Sequence, residues 1–233
     1  MKTSVLLVAG MLIVNVAFGQ NKKLNEIEVT APRYQSEMYY SVNDFLKNAV
    51  EYPDKSKNAG LQGTEVVRFV VTPTGEITNF SIINSVSPEI DQEVLRVLKI
   101  TDGKWNPGTA DGNLVSMEKE ISVSFFLHSE EEMIKMAKQY QQKGNKLMFE
   151  KNNPEKALKY FNQAIVLLPQ EESLLAARGL CKYEIGDNDG AINDWNRLNT
   201  IAKNKGLNSK IENLALDFSN KKGFEKMMET IKK

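Results

Sequence analysis

Few residues of this chain have the types and spacing that catalysis or metal binding requires. The 233 residues include one histidine, His128, and one cysteine, Cys181. His128 follows a predicted strand with no partner nearby in the sequence, and Cys181 falls inside a predicted helix, where a small buried thiol is the ordinary role. Enzymes bring together a nucleophile, a base and charge-stabilising groups. The sequence therefore predicts a protein that is not an enzyme and that holds no cofactor and no metal.

Two acidic stretches are also candidate cation sites, because carboxylates can bind cations. Glu130-Glu131-Glu132 stands at a predicted helix start, where negative charge interacts favourably with the helix dipole. Asp187-Asn188-Asp189-Gly190 is similar to a calcium loop, but its glycine comes too early and no closing glutamate follows. A single cysteine also excludes an internal disulfide and a cysteine-based zinc site. Neither stretch predicts a metal centre.

The overall charge excludes two more classes of partner. The chain has 30 basic and 30 acidic residues, so it has no net field to attract nucleic acid or an anionic membrane. Its hydrophobic fraction of 41% is enough to build buried cores.

The first 19 residues have the pattern of a signal peptide. Lys2 precedes a nearly unbroken apolar run from Val5 to Phe18, and Ala17 and Gly19 are small residues at the positions that a signal peptidase reads. We predict cleavage after Gly19 and export to the periplasm. The alternative is an uncleaved membrane anchor, although a span needs about 20 apolar residues and this run is shorter.

Residues 20–40 are polar and predict a flexible arm, and residues 41–128 alternate helix and strand patterns. The predicted order is helix, strand, strand, helix, strand, in which Glu65–Val71 and Ile77–Asn84 form a hairpin. Ser87-Pro88 begins the second main helix. The last strand, Val115–Leu127, alternates apolar and polar residues, and Lys119 is the only break on its apolar face. This pattern predicts an α+β fold, with helices covering one face of a three-stranded antiparallel sheet.

These elements resemble the TonB C-terminal domain family over residues 41–127. The residues that carry the resemblance are Tyr52-Pro53, Gly60, Gly63, Val66–Val71, Gly75, Ser87-Pro88-Glu89, Trp105-Asn106-Pro107-Gly108, Gly112 and Phe125-Phe126-Leu127. The resemblance implies a domain that pairs the edge of its last strand with an extended segment of an outer-membrane transporter, the TonB box. It places the partner-binding edge at Val115, Met117, Ile121, Val123 and Phe125.

The chain departs from TonB in two respects. TonB keeps its membrane helix and carries a long proline-rich spacer, whereas here only residues 20–40 precede the domain, and they reach about 70 Å at most. We therefore expect a periplasmic adaptor that binds envelope proteins, such as transporters or TonB-like proteins. The alternative is a component of TonB-dependent transport that transmits energy, and a purely structural scaffold is a third possibility. A homodimer formed by exchange of the last strand is compatible with the pattern.

The arm itself contains a segment that looks like a TonB box. Residues 24–33 combine acidic and β-branched residues with Thr30-Ala31 and a basic end at Arg33. One hypothesis is that Ile27, Val29 and Thr30 pair with a TonB-like sheet edge, at the last main strand, either in the same chain or in another. The other is an ordinary linker or an extra edge strand, which Pro32 would end.

Residues 129–205 resemble two tetratricopeptide repeats. Ala157, Phe161 and Ala164 recur 34 residues later as Ala191, Trp195 and Leu198, which is the period of that family. Gly144 recurs as Gly179 after 35 residues, which predicts one extra residue near Asn152–Pro154. The resemblance implies a second partner site, on the concave face of the first helices, formed by the residues Gln141, Asn145, Met148, Ala176, Leu180 and Tyr183. Residues 206–233 predict capping helices.

Overall fold

A computed structural model describes residues 27–39, 41–205 and 218–231. The chain divides into two compact units, with the boundary after Leu127, and each is described by itself. The predicted signal peptide, the first part of the arm and residues 206–217 lie outside the described residues.

The first unit mixes short helices with antiparallel strands. Its helices are α1 (Val42–Ala49), α2 (Asp54–Asn58) and α3 (Pro88–Lys99). Its strands are β1 (Val29–Thr30), β2 (Arg33–Tyr34), β3 (Gly63–Val71), β4 (Ile77–Asn84), β5 (Trp105–Asn106), β6 (Gly108–Ala110), β7 (Asn113–Val115) and β8 (Met117–Phe125).

The main sheet has the strand order β4-β3-β8, and both pairings are antiparallel. The predicted hairpin is present as β3 and β4. Its turn is closed by a bond from the Gly75 N–H to the Thr72 carbonyl oxygen at 3.0 Å, with Gly75 at a φ of 83° that glycine adopts without strain. The pattern of alternating apolar residues therefore predicted this sheet correctly.

Serine caps fix where the helices begin. Ser41 accepts a hydrogen bond from the Asp44 N–H at 3.2 Å, and Ser87 accepts one from the Ile90 N–H at 3.2 Å. Pro88 occupies the first turn of α3, where a missing N–H costs nothing. Both helices present apolar side chains to one face of the main sheet. The resulting core contains Val42, Leu46, Val67, Phe69, Val71, Ile90, Val94, Val97, Leu98, Ile121, Val123 and Phe125.

The last strand is shorter than predicted, because the segment is split between two sheets. Strand β8 begins at Met117, while Val115 belongs to β7 and lies opposite Gly108 of β6. Asp111 and Gly112 form a two-residue turn between β6 and β7, with φ values of 48° and 78°. Positive φ at both positions is the geometry of a tight hairpin turn. The prediction of Val115 as part of the main sheet edge is therefore wrong, and Leu127 lies just beyond β8.

The face of the main sheet opposite the helices is less open than the alternating pattern indicated. Ser122 and Ser124 are 3% and 1% exposed, respectively. The Ser124 hydroxyl lies 3.0 Å from the Thr64 hydroxyl on the neighbouring strand. Their hydrogen-bonding groups are thus paired across the ladder, which offsets part of the cost of burying them.

The described residues of the second unit, 128–205 and 218–231, form helices. They are α4 (Glu130–Asn145), a π-helical turn (Lys146–Glu150), α5 (Pro154–Leu167), α6 (Glu172–Glu184), α7 (Asn188–Lys205) and α8 (Phe224–Ile231). Ser129 and Glu132 form a reciprocal capping box at the start of α4.

Helices α4 and α5 pack as one hairpin, and α6 and α7 as another. A Cβ at Gly144 would lie 2.8 Å from the Phe161 ring, and one at Gly179 would overlap the Trp195 indole. The small and large residues that recur in the sequence therefore pack in equivalent ways in the two hairpins.

The extra residue of the first hairpin lies earlier than predicted. The Lys151 N–H donates to the Lys146 carbonyl oxygen at 3.2 Å, which is a bond across five residues. A π-turn holds more residues than an α-turn and so absorbs an insertion. Asn153 then caps α5 by accepting a hydrogen bond from the Lys156 N–H.

Candidate protein-binding surfaces

Strand β8 lies at one edge of the main sheet and contains four of the predicted contact residues. Its ladder with β3 runs through nine consecutive residue pairs without a shift. Met117, Ile121, Val123 and Phe125 are all buried. A chain that paired along β8 would therefore meet main-chain groups and not these four side chains.

The opposite edge of the sheet, β4, has a different shape. The register between β3 and β4 shifts between Val66 and Val67 and again between Arg68 and Val70. Asn79 has a φ of 52°, in the left-handed region. Such irregularities twist an edge and hinder pairing with another chain. Of the two edges, β8 offers the longer regular template.

Strand β8 carries charged side chains in its first half. Arg68 of β3 contacts two of them, with its Nε 3.8 Å from the Glu118 carboxylate and its Nη2 3.4 Å from the Glu120 carboxylate. Lys119 is half-buried, and burial together with the positive charge of Arg33 lowers the pKa of its amino group. Lys119, near the beginning of the strand, is thus close enough to Arg33 of the arm for the two positive charges to interact.

The arm forms two short strands in a region where the sequence suggested flexibility. Val29 and Thr30 lie opposite Ala110 and Thr109 of β6, while β2 lies opposite β5. Of the two hypotheses for the arm, the structure matches the extra edge strand within its own unit. Its partner is the segment 104–111, and not the edge of β8.

In the second unit, the predicted concave face divides into covered and accessible residues. Met148 and Leu180 are 1% and 0% exposed, whereas Gln141, Asn145 and Tyr183 are partly exposed. The Gln141 amide donates to the Ser173 hydroxyl at 2.7 Å, so that it links α4 to α6. The side chains of Met148 and Leu180 are not available to a partner in this state.

The C-terminal segment of the same chain, residues 218–231, covers part of this face. Lys221 donates to the Met148 carbonyl oxygen at 3.0 Å and lies over the Phe149 ring, while Phe218 stacks on that ring at 5.4 Å. A Cβ at Gly223 would lie 3.1 Å from both Leu180 and Tyr183. Sequence reasoning did not identify Phe218, Lys221 and Gly223 in this position, since nothing in the helical pattern shows where a terminal segment packs.

Cys181, the lone cysteine, is a buried packing residue. Cys181 is fully buried, its Sγ lies 3.5 Å from the Met148 Sδ, and burial raises the pKa of its thiol to about 12. A thiol of this kind is protonated at neutral pH and unreactive. Within the described residues no group of three or more histidine, cysteine, aspartate or glutamate side chains is placed to hold a metal ion.

These features define an α+β domain whose main sheet ends at β8, a regular and largely buried strand, followed by a helical unit. The model of one protein family, described as Gram-negative bacterial TonB protein C-terminal, matches residues 48–127. The match begins within α1 and ends just after β8, so it spans the main sheet. No curated protein matches the chain.

The family match is informative about role and location. TonB C-terminal domains are protein-interaction domains of the cell envelope, and their partners include transporters. The match suggests a role in envelope protein interaction or in TonB-type energy transduction for residues 48–127. Among the residues that the structure describes, no helix has the length and apolar character needed to cross a membrane.

Proposed function

We propose that this protein is a periplasmic adaptor that binds an extended segment of an envelope protein along β8. The observation that carries the proposal is the contrast between the two edges of the main sheet. Strand β8 offers nine residues in unbroken register, whereas β4 is bulged. Main-chain hydrogen bonds along such an edge supply affinity for an added strand.

The helical unit supports a second contact in the same adaptor. Its two hairpins repeat the same glycine–aromatic packing, which is typical of repeat proteins that present a binding face. We assign the accessible rim of that face, Gln141, Asn145 and Tyr183, to a second protein partner. Met148 and Leu180 would join it only after the C-terminal segment moves.

A titration of the isotope-labelled mature chain tests the sheet-edge site. TonB-box peptides of outer-membrane transporters are added, and backbone amide shifts are followed by NMR. We expect saturable shifts along Met117–Phe125 and none along Ile77–Asn84. The matched control is the same peptide with N-methylated backbone amides, which keeps its side chains and loses its main-chain donors.

Two results would contradict the sheet-edge site. One is the absence of shifts at millimolar peptide, and the other is equal binding of the methylated peptide. Shifts confined to the second unit would assign partner binding to the helical face instead.

A direct role in TonB-type energy transduction is the second candidate, and the family match favours it. The two candidates differ in whether the N-terminal segment stays attached to a membrane. Fractionation of cells that express the full chain separates them, because an adaptor is released with the periplasmic contents and a transducer stays with the membranes.

A further inference from the structure

The segment 104–111 of the first unit is built as a receptor for one extended strand. The Gln35 N–H donates to the Lys104 carbonyl oxygen at 2.7 Å, and the Asp111 N–H donates to the Glu28 carbonyl oxygen at 2.9 Å. The Asp111 side chain also accepts from the Glu28 N–H at 3.0 Å. These bonds hold both ends of the bound strand, and β1 and β2 pair between them.

Side chains make this receptor selective. The Tyr34 ring lies 5.7 Å from the Phe45 ring and 5.7 Å from the Trp105 ring, in a pocket at the margin of the core. Pro32 is buried, and the Thr30 hydroxyl lies 2.6 Å from the Thr109 hydroxyl. The bound strand is thus recognised at three positions, each two residues apart.

Gly108 allows the close approach of the strand. A Cβ at this position would lie 2.9 Å from the Thr30 carbonyl oxygen and would overlap the Met117 sulfur. Only a residue without a side chain leaves this space open. Strand β6 is therefore shaped for a neighbour whose backbone passes directly over Gly108.

The arm is nevertheless held by few contacts. Its two strands are only two residues long, and Arg33 brings a positive charge near Lys119. The connection to α1 passes through exposed residues, including Met38, which is 78% exposed. Like charges oppose docking, and short strands have little cooperative stability.

We propose that residues 104–111, together with Phe45, form a second strand-binding site that the arm occupies in cis, and that this site accepts other extended segments with the pattern threonine, proline and aromatic residue at alternate positions. The site is separate from β8 and does not rest on the proposed function. A short connection keeps the arm at an effective concentration of about 1 mM. Because the arm is docked at this effective concentration, the same segment supplied as a separate peptide should bind with a dissociation constant below about 1 mM.

The test cuts the arm free after folding. A protease site is inserted among the exposed residues Ser36–Met38, where insertions are tolerated. The mature chain is folded and cut, and a labelled peptide of residues 26–36 is added. We expect the labelled peptide to replace the cut arm with a dissociation constant below about 1 mM, and the uncut chain to bind it at least about ten-fold more weakly.

Two controls make the result specific. A peptide with Tyr34→Ala should bind at least about ten-fold more weakly than the natural one, since it lacks the aromatic anchor. The variant Gly108→Ala, cut in the same way, should lose its arm on gel filtration while its circular dichroism is kept. If the Gly108→Ala chain does not fold, the variant Thr109→Val is used in its place. This substitution removes a hydroxyl without adding bulk and should weaken peptide binding.

Three outcomes would overturn the proposal. In the first, the cut chain stays folded and loses its arm, but does not bind the peptide at millimolar concentration. In the second, the peptide binds equally well to the cut and uncut chains, and in the third, its amide shifts map to β8 and not to residues 104–111.

Discussion

Glu65 is an acidic residue at the start of the central strand, on the side that faces the helices. It is completely buried, and its carboxylate accepts a hydrogen bond from the Val86 N–H at 2.9 Å. Its other oxygen has no hydrogen-bond partner. Burial, with the nearby Asp91 carboxylate adding to it, raises the pKa of Glu65 to about 9. The residue is therefore protonated in the folded protein at neutral pH.

This protonation makes stability depend on pH. Between about pH 5 and pH 9 the folded state binds a proton at Glu65 that the unfolded chain lacks, so the free energy of unfolding falls as pH rises. In Glu65→Gln a neutral amide keeps the acceptor for Val86 and removes this dependence. We expect equal stability at pH 4.5 and a growing advantage for the variant above it, by at most about 1.4 kcal/mol per pH unit.

Urea unfolding at pH 5 and pH 8 measures the effect. Glu131→Gln, an exposed replacement in the second unit, is the control for the loss of one charge. Parallel pH profiles of the Glu65→Gln variant and the natural protein would show that Glu65 is ionised in the folded state.

Asp194 is the centre of an ion-pair network between α6 and α7. Its carboxylate accepts two hydrogen bonds from Arg178, at 2.9 and 2.6 Å, and lies 2.9 Å from the Lys182 Nζ. Asp194→Ala would leave two largely buried cations without this partner. We expect a loss of about 2 to 3 kcal/mol in the free energy of unfolding, below the value for fully buried pairs because both cations retain some contact with water.

Chemical unfolding followed by helical circular dichroism checks this value. Asn193→Ala, an exposed replacement on the same helix, should change stability by less than about 0.5 kcal/mol. A loss for Asp194→Ala as small as that of the control would mean that the network contributes little.

At the scale of elements, the C-terminal segment determines how much of the helical face is open. Met227 and Ile231 of α8 are buried, and the turn before α8 contacts Leu180 and Met148. A chain that ends at residue 217 should therefore expose apolar side chains. We expect stronger fluorescence of an added hydrophobic dye, and reversal when a peptide of residues 218–233 is supplied.

The helix content of the shortened chain shows whether α4 to α7 remain folded. A chain that lacks only residues 232 and 233 is the matched control and should bind no additional dye. Unchanged dye binding in the longer deletion would show that the segment does not cover this face.

At the scale of the whole molecule, export determines where any partner can be met. The predicted cleavage after Gly19 leaves the arm as the mature N-terminus. Intact-mass spectrometry of the protein from a periplasmic fraction should give the mass of a chain that begins at Gln20. A mass that includes residues 1–19 would favour the membrane-attached alternative.

Local patterns determined much of this protein. The two-residue alternation of β3, β4 and β8 and the serine caps of α1 and α3 predicted the main sheet and its helices, because the physics behind them acts over a few residues. The recurrence of Gly144 and Gly179 against Phe161 and Trp195 likewise predicted how the helical hairpins pack. The Asp111-Gly112 turn also has a local signal, since such a pair next to an alternating run is typical of a hairpin.

Tertiary structure decided three features that no local pattern contains. The arm docks on residues 104–111 through contacts between positions about 80 residues apart in sequence, such as Glu28 and Asp111. The C-terminal segment covers Met148 across a similar separation. The core takes up the side chains of Ile121, Val123 and Phe125 from β8, the strand at one end of the main sheet. Each depends on which surfaces meet when distant segments close on one another, and short-range periodicity carries no information about that choice.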